Sequence, residues 1–458
     1  MRTSRHTVAL LLLALAILTP AGCGRSGLPA GSAPALSVAI RYPVRADLMA
    51  VGDLGAPPRW FSAGYPPLRT ARLGDRSPDP EFAAQLRPKV GKEILDPEAG
   101  LTAGQRDDLG RLLEQYFGTP AAPTVRLITT EEATKLKLEE LKDIEALARG
   151  KSPKDVVAGL LAEAGAARAR LSLDNAGLGR GAVLYRRWCL TCHGLTGGGD
   201  SAQAIRAVAV PRDYRRGVFK FVTCYPTSLS PRKGELGKAR KEDLKRTIRN
   251  GLDGSMMPPF PQFTASELDD LAGYVIHLSV RGETEFEVMR RVIQQPEDDP
   301  GYSVEFAEQL LAEKILETVG NWGRAEAAPI PISPENCPTE ADRLASAARG
   351  YKAFAGTCAG CHQDYGRTPQ LKYDIWGTVV QPRNLTLGVY RGGRKGEDLY
   401  ARVYGGIYPS TMPDSKAKAA TGPGRPDEIW DIVHFLQALA DPRERMFLQQ
   451  FDPGIKID

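Results

Sequence analysis

The sequence predicts a mainly α protein in which one small helical unit occurs twice, behind an N-terminal region that is first irregular and then helical. Three observations predict this. Matched residues recur at constant spacing in two separate stretches, and each stretch closes on an apolar-periodic segment, Ser266 to Ser279 and Asp427 to Leu439. Residues 29–100 hold 11 of the 35 prolines, too dense for long regular helices. Hydrophobic residues make up 42% of the 458 and charged residues 25%, which excludes wholesale disorder. The elements divide as a leader at 1–22, a proline-rich region at 23–100, a helical region at 101–173, a first repeat at 174–283, a helical linker at 284–344, a second repeat at 345–441 and a tail at 442–458.

Arg2 and Arg5 precede the apolar run Val8 to Leu18, too short to span a bilayer but suited to a signal-peptide core. Leu18-Thr19-Pro20-Ala21-Gly22-Cys23 follows and resembles a bacterial lipobox, which implies a lipid anchor on Cys23. Pro20 departs from that pattern, and plain secretion is the competing reading. Either way the chain is expected outside the cytoplasm, on the periplasmic face. The formal net charge of +5 falls to +3 with the leader gone, so no nucleic-acid partner is expected.

Beyond the proline-rich region, Leu109, Leu112, Leu113 and Tyr116 stand in helical register. Ser152-Pro153 reads as an N-cap and first helical position, opening a helix to about Leu171. These helices carry no chemical motif and are read as a stalk or a docking surface. Another helical stretch, about Ser303 to Val319, separates the repeats.

The chemistry lies in C-x-x-C-H, present twice: Cys189-Leu190-Thr191-Cys192-His193 and Cys358-Ala359-Gly360-Cys361-His362. The pattern reads as c-type haem attachment. Each cysteine can add across a haem vinyl group, and the histidine that follows can present its imidazole to the iron. A zinc or CxxC redox pair is the competing reading, but no further Cys/His cluster completes a zinc site at either copy, and two copies each ending in histidine make chance a poor account. Two covalent haem c groups are therefore expected.

The repeat supplies a second axial ligand. Arg180-Gly181, Tyr185 and Cys189 match Arg349-Gly350, Phe354 and Cys358. Pro211-Arg212-Asp213-Tyr214 with Gly217-Val218-Phe219 matches Pro382-Arg383-Asn384-Leu385 with Gly388-Val389-Tyr390. Glu242-Asp243-Leu244, Gly251-Leu252 and Met257-Pro258 match Glu397-Asp398-Leu399, Gly406-Ile407 and Met412-Pro413. The alignment selects Met257 over its neighbour Met256, which falls opposite Thr411. His277 and His434 do not align with each other and are read as helix-face residues.

Each repeat resembles a class I cytochrome c domain, over about residues 174–281 and 345–441. The resemblance implies an N-terminal helix crossing a C-terminal one, with Gly181, Tyr185 and Tyr274 at the first crossing and Gly350, Phe354 and Phe435 at the second. It implies that the Pro211 and Pro382 carbonyls accept from the second ring nitrogen of His193 and His362. Arg212 and Arg383 are either propionate partners or solvated side chains. After four haem cysteines and Cys23, Cys224 and Cys337 remain, and a disulfide between them is one reading of that even remainder.

Haem with His/Met ligation has both axial positions filled, which suits one-electron transfer. The expectation is an electron carrier, not an enzyme, in a respiratory or related chain. Its partners would be a quinol-oxidising complex and a terminal oxidase or reductase. The competing readings are a di-haem peroxidase, which needs an open iron, and an electron-transfer subunit of an oxidase or dehydrogenase complex. No P-loop or dinucleotide fingerprint accompanies the repeats.

Overall fold

The computed structural model describes residues 102–199, 201, 203–204, 211–224, 238–293, 301–368, 370, 372–373, 379–408, 410, 412–419 and 427–455. The leader, the Cys23 anchor and the proline-rich region lie outside the described residues.

The chain is mostly helical, as the periodicity predicts. Helix α1 (Ala103–Phe117) starts at a capping box, Thr102 with Gln105, and stops at Gly118, whose φ of 68° no β-carbon would favour. Helices α2 (Thr130–Lys135), α3 (Lys142–Ala148) and α4 (Pro153–Arg170) follow, the last with proline in its first turn. Helix α5 (Asn175–Trp188) is capped by Asp174, whose Oδ1 accepts from Gly177 N at 2.8 Å. It runs into the one-turn α6 (Leu190–His193). The first repeat continues through α7 (Lys241–Asn250) into α8 (Ala265–Ile293). Helix α9 (Val304–Ala327) leads to the second repeat, α10 (Glu340–Thr357), α11 (Gly396–Gly405) and α12 (Glu428–Ala440), and α13 (Pro442–Leu448) closes the chain. Strands β1 (Lys372–Tyr373) and β2 (Val379–Val380) form a short antiparallel pair within the second repeat.

In each repeat the first long helix crosses the last at a glycine. A β-carbon on Gly181 would lie 2.1 Å from Asp270 O, and one on Gly350 would lie 1.9 Å from Asp431 O. Only the missing side chain lets the backbones come so near. Tyr185 and Tyr274 fill the first crossing with ring centroids 5.2 Å apart, and Phe354 and Phe435 fill the second at 5.1 Å.

Two apolar cores result. The second is confined to its own repeat and the tail, with Ala347, Phe354, Leu399, Phe435 and Leu448 among its members. The first is shared more widely. Leu178, Tyr185, Leu271 and Tyr274 of the repeat join Leu113 and Phe117 of α1, Leu171 after α4, and Leu311 and Trp322 of α9. The region read as a stalk or docking surface is thus packed into the first core. Helix α8 also runs on to Ile293, past the Ser279 at which its apolar period was closed. The reason is burial on several sides: Arg281 and Glu285 lie inside it as an ion pair of 2.9 Å, a polar pair that interrupts the apolar stripe.

The Cys224–Cys337 bridge is not formed; both cysteines are free thiols. Cys224 is buried and its Sγ donates to Lys238 O at 2.8 Å, while Cys337 Sγ lies 3.8 Å from His434 Nδ1. Each thiol is taken up by its own surroundings.

Candidate haem sites

The C-x-x-C-H segments fold as one turn each, closed by the same bonds. Cys192 N and His193 N donate to Cys189 O at 3.1 and 2.9 Å, and Cys361 N and His362 N donate to Cys358 O at 3.1 and 2.9 Å. Each turn hangs from the helix before it, since Cys189 N reaches Tyr185 O and Cys358 N reaches Phe354 O. Burial pushes the Cys189 thiol up to about 12 and raises Cys358 also.

Burial takes the His193 imidazole down to about 4, with the Arg212 backbone opposing the fall, and lowers His362 with the Arg383 backbone opposing it. Both rings are therefore neutral at neutral pH, the form a metal needs. The backbone that opposes the fall belongs in each site to the residue after the expected proline, Arg212 and Arg383. Nδ1 of both histidines is buried without a fully formed hydrogen bond. Tyr214 stacks on His193 with centroids 4.6 Å apart, a contact the second repeat lacks because Leu385 stands there.

The methionine loops are equally alike. Leu252 N donates to Met257 O at 3.1 Å, and Ile407 N donates to Met412 O at 3.1 Å. Ser255 Oγ accepts from Met257 N at 3.2 Å, and Ser410 Oγ accepts from Met412 N at 3.3 Å. Gly251 and Gly406, both at φ 68°, end the preceding helices, and a β-carbon on either would sit 2.7 Å from the methionine carbonyl. Met256 is 55% exposed, whereas Met257 packs with Cys189 against the first core.

Several residues escaped the sequence reading. Asp270 pairs with Arg180 through two bonds of 2.7 and 2.9 Å, and Asp431 pairs with Arg349 through 3.0 and 2.7 Å. Both aspartates precede the crossing aromatic by one helical turn, a spacing that could have been read. His277 and His434, read as helix-face residues, lie on buried faces of their helices. His434 Nδ1 lies 2.7 Å from Ser346 Oγ and its Nε2 lies 3.0 Å from Glu335 Oε1, so its ring is already engaged. Arg383 reaches Val389 O at 3.4 Å and lies against Gly254 of the first repeat.

The residues fit a haem: paired thiols on a rigid turn, a neutral imidazole whose buried Nδ1 has no fully formed bond, and a methionine held in a braced loop. Fold and sites together define tandem haem-binding helical domains of one kind. Residues 176–275 match the family model of the cbb3-type cytochrome c oxidase subunit III, and residues 347–440 match that of cytochrome c. The chain thus carries two cytochrome c-type domains in tandem. A solved chain of the Kuenenia stuttgartiensis reducing HAO-like protein complex is similar at 21% identity, over 57% of this chain and 96% of that one, with a TM-score of 0.37. No curated relative matches. Cytochrome c domains serve haem-based electron transfer. No helix among the described residues is long and apolar enough to cross a membrane.

Proposed function

We propose that this protein is a di-haem electron-transfer protein. Cys189 and Cys192 would hold one haem c by thioethers, with His193 and Met257 as axial ligands. Cys358 and Cys361 would hold the other, with His362 and Met412. When bound, haem supplies one-electron chemistry at an iron whose potential the chain tunes. The chain's residues fix the rings, keep each imidazole neutral and supply a thioether sulfur that favours the reduced iron. One observation carries the reading: the same C-x-x-C-H turn and the same braced Met-Pro loop are built twice with matching hydrogen bonds.

With Met257 and Met412 as ligands, neither iron would keep an axial position open to peroxide, so electron transfer is favoured over peroxidase chemistry. The exported setting, the Cys23 lipid anchor and a place between a quinol-oxidising complex and a terminal oxidase or reductase belong to the same proposal. They rest on the leader sequence and on the duplicated C-x-x-C-H and Met-Pro segments. The test is a reduced spectrum of the purified holoprotein with intact-mass measurement. Two low-spin haems, each with a sulfur-to-iron charge-transfer band in its oxidised form, are expected. One haem, or a high-spin haem that turns over peroxide, would overturn the proposal.

A further inference from the structure

The two cytochrome c domains meet through matched pieces of the repeat. Counting on from Gly217 and Gly388, Phe221 corresponds to Gly392, and the two residues pack against each other. A β-carbon on Gly392 would stand 2.7 Å from the Phe221 ring, so only glycine fits beneath it. Arg402 seals this contact. It is buried, donates to Val222 O at 2.9 Å and to Gly392 O at 3.3 Å, and lies 5.6 Å from the Phe221 ring centre. Nearby, Arg246 joins the matched aspartates of the two repeats, Asp243 at 3.1 Å and Asp398 at 3.4 Å.

At this interface the Met257 loop of the first domain rests on the second domain's loop that faces His362. Arg391 Nη2 donates to Gly254 O at 3.0 Å, and the Arg383 guanidinium approaches to 2.8 Å of where a Gly254 β-carbon would be. The contact is continuous with both candidate sites. Leu252 N, two residues before Gly254, donates to Met257 O at 3.1 Å, and the Arg383 backbone faces the His362 ring. A short line of contacts therefore runs from the Met257 backbone to the Arg383 backbone beside the His362 ring.

We infer that electrons pass between the two domains through the contact of Gly254 with Arg391 and Arg383. The inference rests on the di-haem reading. In the step, one reduced iron is oxidised and the other reduced, with no proton and no outside reactant. The interface residues keep the Met257 loop and the Arg383–Gly392 loop in register, and Arg402 and Arg246 hold them there.

The test uses full-length holoprotein reduced by one electron. Redistribution between the haems is followed by pulse radiolysis or by exchange of the haem methyl signals in NMR. Arg391 lies at the rim of the interface, so Arg391→Ala should fold and keep both haem spectra and both potentials. Its redistribution rate should fall below the wild-type rate. Arg111→Ala, on α1, should leave the rate at the wild-type value. An unchanged rate in Arg391→Ala with two intact haems would overturn the route. A holoprotein without two low-spin haems would instead overturn the di-haem reading. If Arg391→Ala shifts either potential or loses a charge-transfer band, the residue acts on a haem directly and the route is likewise overturned.

Discussion

Two neighbouring methionines differ in what surrounds them, not in what they are. Met257 N is tied to Ser255 Oγ and its carbonyl to Leu252 N, while Met256 is 55% exposed. Met257→Ala should abolish one of the two sulfur-to-iron bands and lower that haem's potential; Met256→Ala should leave both bands in place. Absorption in the near infrared checks the pair, and loss of a band in the Met256 variant would reverse the ligand assignment. His277 shows a second effect of surroundings. Burial and the Arg281 charge take its pKa down from 6.5 to about 3. The unfolded chain binds a proton there that the folded chain refuses. The stability that the neutral ring supplies is full above pH 6.5 and is lost as pH falls towards 3. Acid should therefore remove on the order of a few kcal/mol of stability between those limits, read as a falling melting temperature. His277→Gln should flatten that slope; an equal slope in the variant would show the loss arises elsewhere.

At the level of elements, the helix crossing decides whether a cytochrome c domain closes. Gly181 and Gly350 sit against Asp270 O and Asp431 O, backbone atoms that have no rotamer to yield. Gly350→Ala should cost about 1–3 kcal/mol through overpacking and reduce haem incorporation in the second domain only. Calorimetry and domain-resolved haem content test this, and an unshifted melting curve would contradict it. The crossing was largely legible in the sequence. The glycine, the aromatic and the arginine recur at fixed spacing from C-x-x-C-H, because a close helix contact tolerates few side chains. The aspartates that receive Arg180 and Arg349 recur one turn before the crossing aromatic, but a single charge on a helix does not by itself announce its partner across the fold. The Cys224–Cys337 bridge failed for a related reason: an even cysteine count fixes no separation, and the two thiols face different neighbours.

On the scale of the whole molecule, the two domains differ in how much of the chain they need. The second core lies within its own repeat and the tail, whereas the first recruits α1, α4 and α9. A fragment of residues 328–458 should fold with its haem. A fragment of residues 174–283 should aggregate, since it exposes apolar faces of α8 that the other helices cover. Expression of both fragments with haem analysis decides the matter, and a soluble 174–283 holoprotein would refute it. The larger unit is also stapled by charge. Lys238, 1% exposed, donates to Glu283 at 2.5 Å and to Gly217 O at 3.1 Å, and Trp322 donates to Glu283 at 2.8 Å. Burial raises the Glu283 pKa, with Lys238 opposing. Glu283→Ala would leave the ammonium buried without its partner and should cost about 3–5 kcal/mol. A melting temperature within error of wild type would show that the cluster relaxes instead.

The sequence by itself determined the chemistry and its duplication. C-x-x-C-H and Met-Pro are local signals, written in residues a few positions apart, so covalent geometry alone ties them to one turn and one loop. Repetition then singled out Met257 over Met256 as the proposed ligand, without any structure. Tertiary structure decided what sequence distance hides. It drew α1, α4 and α9 into the first core, placed Asp270 under Arg180, left two thiols unbridged and set Gly254 against Arg391. Those contacts join residues far apart in the chain. They arise from the burial of apolar faces against one another, a driving force that is non-directional and records no partner in the local pattern.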